Sequence, residues 1–225
     1  MILAVIPITV ILALSIGRIF YDIGVKENMQ ITKNRITEVE SLASAIHFLQ
    51  IERGLSVGFT ASQGKKNGDM LPGIRTKADE AINNIKTVYV KTHGDASVLN
   101  NLNSLNQKRD SIDSLSMTGS EVAAYYTKTI ISFIDAAVVI PTLMNDTDGR
   151  NAIQAYTHLA STKESLGQIR ALLNKAFIAN TMNQKDYAMV VSRELVFTVN
   201  KKKFETLSPK ELQEFFNNTF RGDSV

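Results

Sequence analysis

Residues 39–60 read VESLASAIHFLQIERGLSVGFT. Val39, Leu42, Ile46 and Leu49 recur at spacings of three and four, the seam of an amphipathic helix that packs against other helices. The next positions on that seam are Arg53, Ser56 and Thr60. A guanidinium on a packing face stays charged, because its pKa exceeds ~12. It therefore needs an acidic neighbour, a water-filled pocket or a bound anion. A second stretch repeats the pattern: Tyr156, Leu159, Leu166, Leu173 and Phe177 share a seam that Lys163 and Arg170 interrupt.

Working outward, the chain divides into helices separated by short polar breaks. The first runs from Thr32 to about Ser62 and ends at QGKKNGD, residues 63–69, where Asp69 is a candidate N-cap. The second covers 71–91, with Pro72 in its first turn and Ile74, Ala78, Ala81, Ile85 and Val88 on one face. After a turn at Gly94 comes a third, 96–115, with Leu99, Leu102, Leu105 and Ile112 inward. A fourth, 121–143, meets Pro141, which kinks or ends it. The turn NDTDG, residues 145–149, divides the domain in two. A fifth helix spans 150–182 and a sixth 185–206. Ser208 and Glu211 stand in capping-box positions for a seventh, 209–220. No stretch alternates with period two. The fold class expected is all-α, with short breaks between long helices giving up-and-down antiparallel bundles.

Composition agrees. Of 225 residues, 44% are hydrophobic, 21% charged and 7% aromatic, with no tryptophan. That balance favours helices over a β-sandwich or barrel. The absence of cysteine excludes disulfides and cysteine metal sites. The net charge of +3 is mild and evenly spread, which argues against a nucleic-acid partner. Nucleotide-binding, zinc-protease and serine-hydrolase motifs are all missing, so no catalytic residue, metal or cofactor is expected. His47, His93 and His158 are scattered and read as boundary residues. Asp110 and Asp113 read as solvated helix surface, and Arg193 as surface.

The N-terminus sets the class. Residues 2–20 are almost wholly apolar, with Arg18 as the only charge and Pro7 as the one helix-disturbing residue. At a rise of ~1.5 Å per residue the segment approaches the ~30 Å hydrocarbon core, so residues 1–23 are expected to form a transmembrane helix and 24–225 a helical domain. A signal peptide and a buried core helix are the rival readings. Arg18 and Lys26 flank the span on its C-terminal side only. By the positive-inside rule alone that would put the domain in the cytoplasm, and a basic leader upstream would reverse it.

Two motifs surround the seam arginines. The stretch from Leu49 to Ile85 contains ERGLS, then ASQGKKNGD, then RTKAD, and Lys163–Phe177 reads KESLGQIRALLNKAF. With the tail from Tyr187 through Phe204 to Glu214, these resemble the nitrate- and nitrite-sensing (NIT) domain, over roughly Lys33 to Phe220. The resemblance implies two stacked four-helix-type bundles, nitrate or nitrite as the ligand, and a homodimer. It also implies a place as the extracytoplasmic part of a chemoreceptor or sensor kinase, or as the sensor half of a soluble antiterminator. The leading membrane helix fits the chemoreceptor-like arrangement, with the domain periplasmic or extracellular at the inner or plasma membrane, which overrides the charge argument. Arg53 and Arg170 match family arginines. With Ser56, one turn on from Arg53, they are the candidate anion-binding residues. The family's pattern continues past this chain into a further helix, a second span, a linker and a signalling module. By that pattern the chain is a fragment that binds but does not signal alone.

Two functions stand against each other. In one, an anion docks between the helices carrying Arg53 and Arg170 and the resulting helix shift crosses the membrane. In the other, the domain is a membrane-tethered structural or interaction module whose arginines are salt-bridged. The discriminating observation is whether Glu52 and Glu164, the acids beside them, face solvent or reach the arginines.

Overall fold

The structure is a computed structural model that describes residues 2–94 and 96–219; the side chains of 1–17, 19–21, 175, 178 and 179 lie outside that description. The membrane-anchor expectation for residues 1–23 falls largely on those side chains, although the backbone there is helical from Ile2. No strand occurs among the described residues.

Seven helices carry the described chain: α1 (Ile2–Ala61), α2 (Leu71–Ile85), α3 (Leu105–Asp113), α4 (Gly119–Val139), α5 (Thr147–Ala179), α6 (Gln184–Leu207) and α7 (Lys210–Thr219). α2 continues through a π-helical turn, Lys86–Val90, to Lys91–His93, and Gly94 closes it with φ of 67°. A left-handed residue there suits glycine, which has no Cβ to clash.

The first core is built around the opening seam. Val39, Leu42, Ile46, Leu49, Ser56 and Thr60 are all buried. Against them pack Ala78, Ala81 and Ile85 of α2, Ile112 of α3, and Tyr126, Ile130 and Phe133 of α4. Polar contacts fix the directions. His93 at the end of the second leg reaches Glu38, while Arg75 near its start approaches Glu52, so α2 runs antiparallel to α1. Arg75 also meets Asp113, and Arg109 meets Asp79, which reverses α3 against α2. Gly119 lies beside Thr60 and Val57, and Tyr126 bonds Glu52, which reverses α4 against α1. This is an up-down-up-down arrangement.

α5 continues the alternation. Gly149 lies against Thr32, and Lys163 and Glu164 meet His47 and Gln50, so α5 runs beside α1 in the same direction. α6 returns antiparallel to α5, with His158 Nδ1 2.8 Å from Asn200 Oδ1. A small second core of Ala155, Phe204 and Phe216, flanked by Leu159 and Leu207, ties α7 to this pair.

Several local expectations need correction. The seam of α5 is buried only in part: Leu166 and Leu173 are exposed and Phe177 is 79% exposed. The buried positions of α5 are instead Ile153, Ala155, Thr157, Ala160, Thr162, Glu164 and Ser165, which spread over more than one side of the helix. The small residues among them let the parallel α1 and antiparallel α6 come close. The third helix is split, with a 3-10 segment, Ser97–Leu102, preceding α3. Asp69 does not cap α2; Met70 takes the cap position without a side-chain bond. Ser208 Oγ is buried and makes no hydrogen bond, so the expected capping box before α7 does not form. The box belongs to α4, where Thr118 accepts from Glu121 N and Glu121 accepts from Thr118 N. Pro141 ends α4 in a 3-10 turn, Ile140–Leu143, and Asp146 caps α5 by accepting from Gly149 N. Among the described residues one segment, Gly119–Leu143, is long and apolar enough to cross a membrane, with mean hydropathy 1.3. Its burial of Tyr126, Ile130 and Phe133 in the first core accounts for that apolarity.

Candidate functional site

Glu52 and Arg53 are consecutive on α1, so their side chains leave the helix about 100° apart and serve two different junctions. Glu52 turns into the first core and is 0% exposed. It accepts from Arg109 Nε at 2.7 Å, Arg109 Nη2 at 2.9 Å and the Tyr126 hydroxyl at 2.8 Å, with Arg75 Nε at 3.5 Å. Arg109 also donates to Asp79 at 2.7 Å, and Arg75 makes a two-pronged pair with Asp113 at 2.7 and 2.8 Å. Asp113 is thus a partner of the network as well as a surface residue. Burial by itself would lower Arg109, but the bonds and charges of Glu52 and Asp79 outweigh it and push the guanidinium above its ordinary range. Burial, and then the Glu52 charge, hold the Tyr126 phenol far above its usual value. Apart from Arg75 Nε, which is buried without a hydrogen bond, this network pairs its own charges and has the chemistry of a polar core.

Arg53 turns the other way, to α5. Its Nη1 donates to Glu164 Oε1 at 2.5 Å and Thr127 Oγ1 at 2.8 Å, and its Nη2 donates to Glu164 Oε2 at 3.2 Å. Glu164 also accepts from Gln50 Nε2 at 2.9 Å and Gln168 Nε2 at 2.8 Å. Gly167 lies beneath this cluster. A Cβ there would stand 3.3 Å from Arg53 Nη2, so glycine leaves the guanidinium room against the α5 backbone. Nearby, Lys163 Nζ is 3.4 Å from His47 Nδ1. Burial lowers the Lys163 ammonium, against a smaller upward pull from Glu164; burial and then Lys163 lower His47.

The three residues singled out from the sequence fall in different surroundings. Arg53 is partly buried and paired. Ser56 is 0% exposed, and its Oγ makes no hydrogen bond of full geometry, although it lies close enough to the Tyr126 hydroxyl to bear on its ionisation. Arg170 is exposed, one turn beyond Gly167, and its side chain has no partner among the described residues. None of the three lines the open groove of about 710 Å³ between Val25, Met29, Thr32, Ile36 and Asp146. Nor do they line the polar hollow of about 330 Å³ around Asn100, Gln107 and Lys128. Both acids beside the arginines are buried: Glu164 reaches Arg53, whereas Glu52 serves Arg109 and Arg75.

Sequence reasoning missed Arg109, yet the signal was there. Leu102, Leu105, Arg109 and Ile112 follow the same three-four spacing that exposed Arg53. Gln50, Thr127 and Gln168 carried no such signal, because amides and hydroxyls are common on helix surfaces.

Comparison with known proteins agrees with this architecture. No curated protein matches the chain. A solved structure, that of the NasR transcription antiterminator, superposes with a TM-score of 0.79 at 16% identity. The match covers 88% of this chain and 57% of that one, so the chain spans a little over half of the solved structure. At that identity the likeness speaks for the fold. The family model described as nitrate and nitrite sensing matches residues 44–225, a span that contains Arg53, Glu164 and the whole of both junctions, and the chain belongs to that family.

Proposed function

We propose that this chain is the ligand-sensing part of a membrane receptor that binds nitrate or nitrite at the α1–α5 junction, with Arg53 as the principal contact and Arg170 and Ser56 as its companions. The observation that carries the reading is the placing of Arg53. A permanently charged fork of donors is set, half-buried, between two parallel helices. Such a fork suits a planar oxyanion. Arg170 lies six residues beyond Glu164 on the same helix and is exposed. On this reading the N-terminal helix anchors the chain in the inner or plasma membrane, the domain is periplasmic or extracellular, and two copies associate. The output is a small helix shift, of about 1–2 Å in systems of this kind. Chemotaxis and kinase control are the two outputs the reading accommodates.

The Arg53–Glu164 pair favours a second reading, a tethered helical module whose arginine is structural. Calorimetric titration separates the two. The full chain in detergent micelles is titrated with nitrate, nitrite and chloride beside an Arg53→Ala variant. Saturable nitrate binding that the variant loses supports the sensor; no heat from any anion in either protein supports the structural module. Sedimentation of the same samples tests the dimer.

A further inference from the structure

Glu164 is 3% exposed, and its two oxygens accept four hydrogen bonds from Arg53, Gln50 and Gln168. Three side chains from two helices thus close around one planar pair of oxygens. That is the donor set a planar oxyanion needs: a guanidinium fork on one edge and amide N–H groups beside it. A carboxylate and a nitrate share the features this cage reads. Each presents two coplanar oxygens and a single negative charge.

We infer that Glu164 is an internal stand-in for the ligand, displaced from Arg53, Gln50 and Gln168 when the anion binds, and that it thereby sets the affinity and shape selectivity of the site. The inference rests on the reading that Arg53 holds the anion. Three physical requirements lead to it. Arg53 cannot be neutralised, so the ligand-free protein must supply a counter-charge at the junction. A second anion cannot enter beside a buried carboxylate without strong repulsion, so entry requires the carboxylate to leave. Finally, the cage is shaped by Glu164 itself, so an anion must match a carboxylate to replace it; tetrahedral sulfate and spherical chloride do not.

The exchange also supplies a signal. Two of the partnerships Glu164 makes, with Arg53 and with Gln50, tie α5 to α1. Replacing the carboxylate with a free anion keeps the donors satisfied. The direct ties give way to ones bridged by the anion, which takes Arg53 and Gln50 of α1 and Gln168 of α5, while Glu164 is left outside. Ligand binding thus exchanges one linkage between the parallel helices for a longer one, a differential contact of the kind a switch requires.

Glu164→Gln tests the inference, because it keeps the shape and removes the competing charge. In micelles the full-chain variant should bind nitrate about tenfold more tightly than the unaltered protein, since a charge-assisted bond about twice as strong as a neutral one no longer has to be broken. Nitrate should also raise its Tm more. Equal or weaker binding by Glu164→Gln, with binding by the unaltered chain still dependent on Arg53, overturns the inference and leaves the sensor reading standing. No nitrate binding by either protein overturns both. Binding by the variant alone supports both, with Glu164 as a strong competitor. Should Glu164→Gln not fold, the cysteine-free background permits a second readout in the otherwise unaltered chain. Spin labels at Ile51→Cys on α1 and Leu166→Cys on α5, positions 37% and 39% exposed, report the junction directly. Nitrate saturation should lengthen or broaden the distance between them. An unchanged distribution under saturating nitrate overturns the displacement.

Discussion

At the scale of the residue, the ER pair at 52–53 decides how the chain is wired. Glu52 anchors the first core and Arg53 the junction with α5, and neither can do the other's work because they face different ways. Glu52→Ala should destabilise the protein by about 3–5 kcal/mol in urea unfolding, since it strands the Arg109 charge in a buried site. Tyr126→Phe removes one of several bonds to the same carboxylate and should cost about 1 kcal/mol. The glycines divide by what surrounds them. A Cβ at Gly54 meets nothing within 4 Å, so Gly54→Ala should gain up to about 1 kcal/mol of helix propensity. Gly167→Ala should show little of that gain, because the new methyl presses on Arg53 Nη2, and should weaken nitrate binding in the same titration.

At the scale of the element, α4 is held at its start by the box between Thr118 and Glu121. Thr118→Ala should cost about 0.5–2 kcal/mol in thermal unfolding. Bonds from the Thr118 backbone and side chain keep the Glu121 carboxyl below its ordinary 4.5. Its contribution is therefore complete above that value and is lost as the pH falls through the lower folded value, and the variant, which keeps the backbone bond, should lose only the smaller share that the hydroxyl supplies. Helix existence was legible along the chain because breaks at Gly64–Asp69, Gly94, Met117–Thr118 and Asn145–Asp146 interrupt clear 3.6-residue periodicity. The seam at 39–60 was legible down to its single residues, because one helix packed on three others leaves a wide apolar stripe. Legibility failed on α5. A helix that packs through alanine, serine and threonine has a buried face no more apolar than its exposed one, so hydrophobic period points at the wrong side. It failed again at the caps: Met70 stands at the cap of α2 in place of Asp69, and α7 begins at Lys210, two residues past Ser208. The site was half legible: the arginine announced itself by violating its seam, while Gln50, Thr127 and Gln168 became partners only through tertiary contact.

At the scale of the whole molecule, the two halves are joined by polar contacts between α1 and α5, and exposed His47, 3.4 Å from Lys163, adds a titratable contact beside them. Burial and the Lys163 charge hold His47 below 6.5, so the folded state favours the neutral ring. The stability this contributes is complete above pH 6.5 and is lost as the pH falls through the lower folded value. Thermal unfolding between pH 7.5 and 5 should show Tm dropping on the acid side, with a shallower drop in His47→Gln. The link sits far along a single rod. α1 is one helix of 60 residues, about 90 Å at the standard rise, and Arg53 lies eight residues from its C-terminal end. The fold grips the rod from Thr32, which lies against Gly149, to Thr60 in the first core, so rotation is magnified only beyond Thr32. One degree of tilt there sweeps the helix start, roughly 45 Å away, through about 0.8 Å, and two degrees bring it into the range of about 1–2 Å by which helices shift at allosteric interfaces. A tilt small enough to leave the core around Glu52 in place would thus move the opposite end of the molecule by a distance of that order.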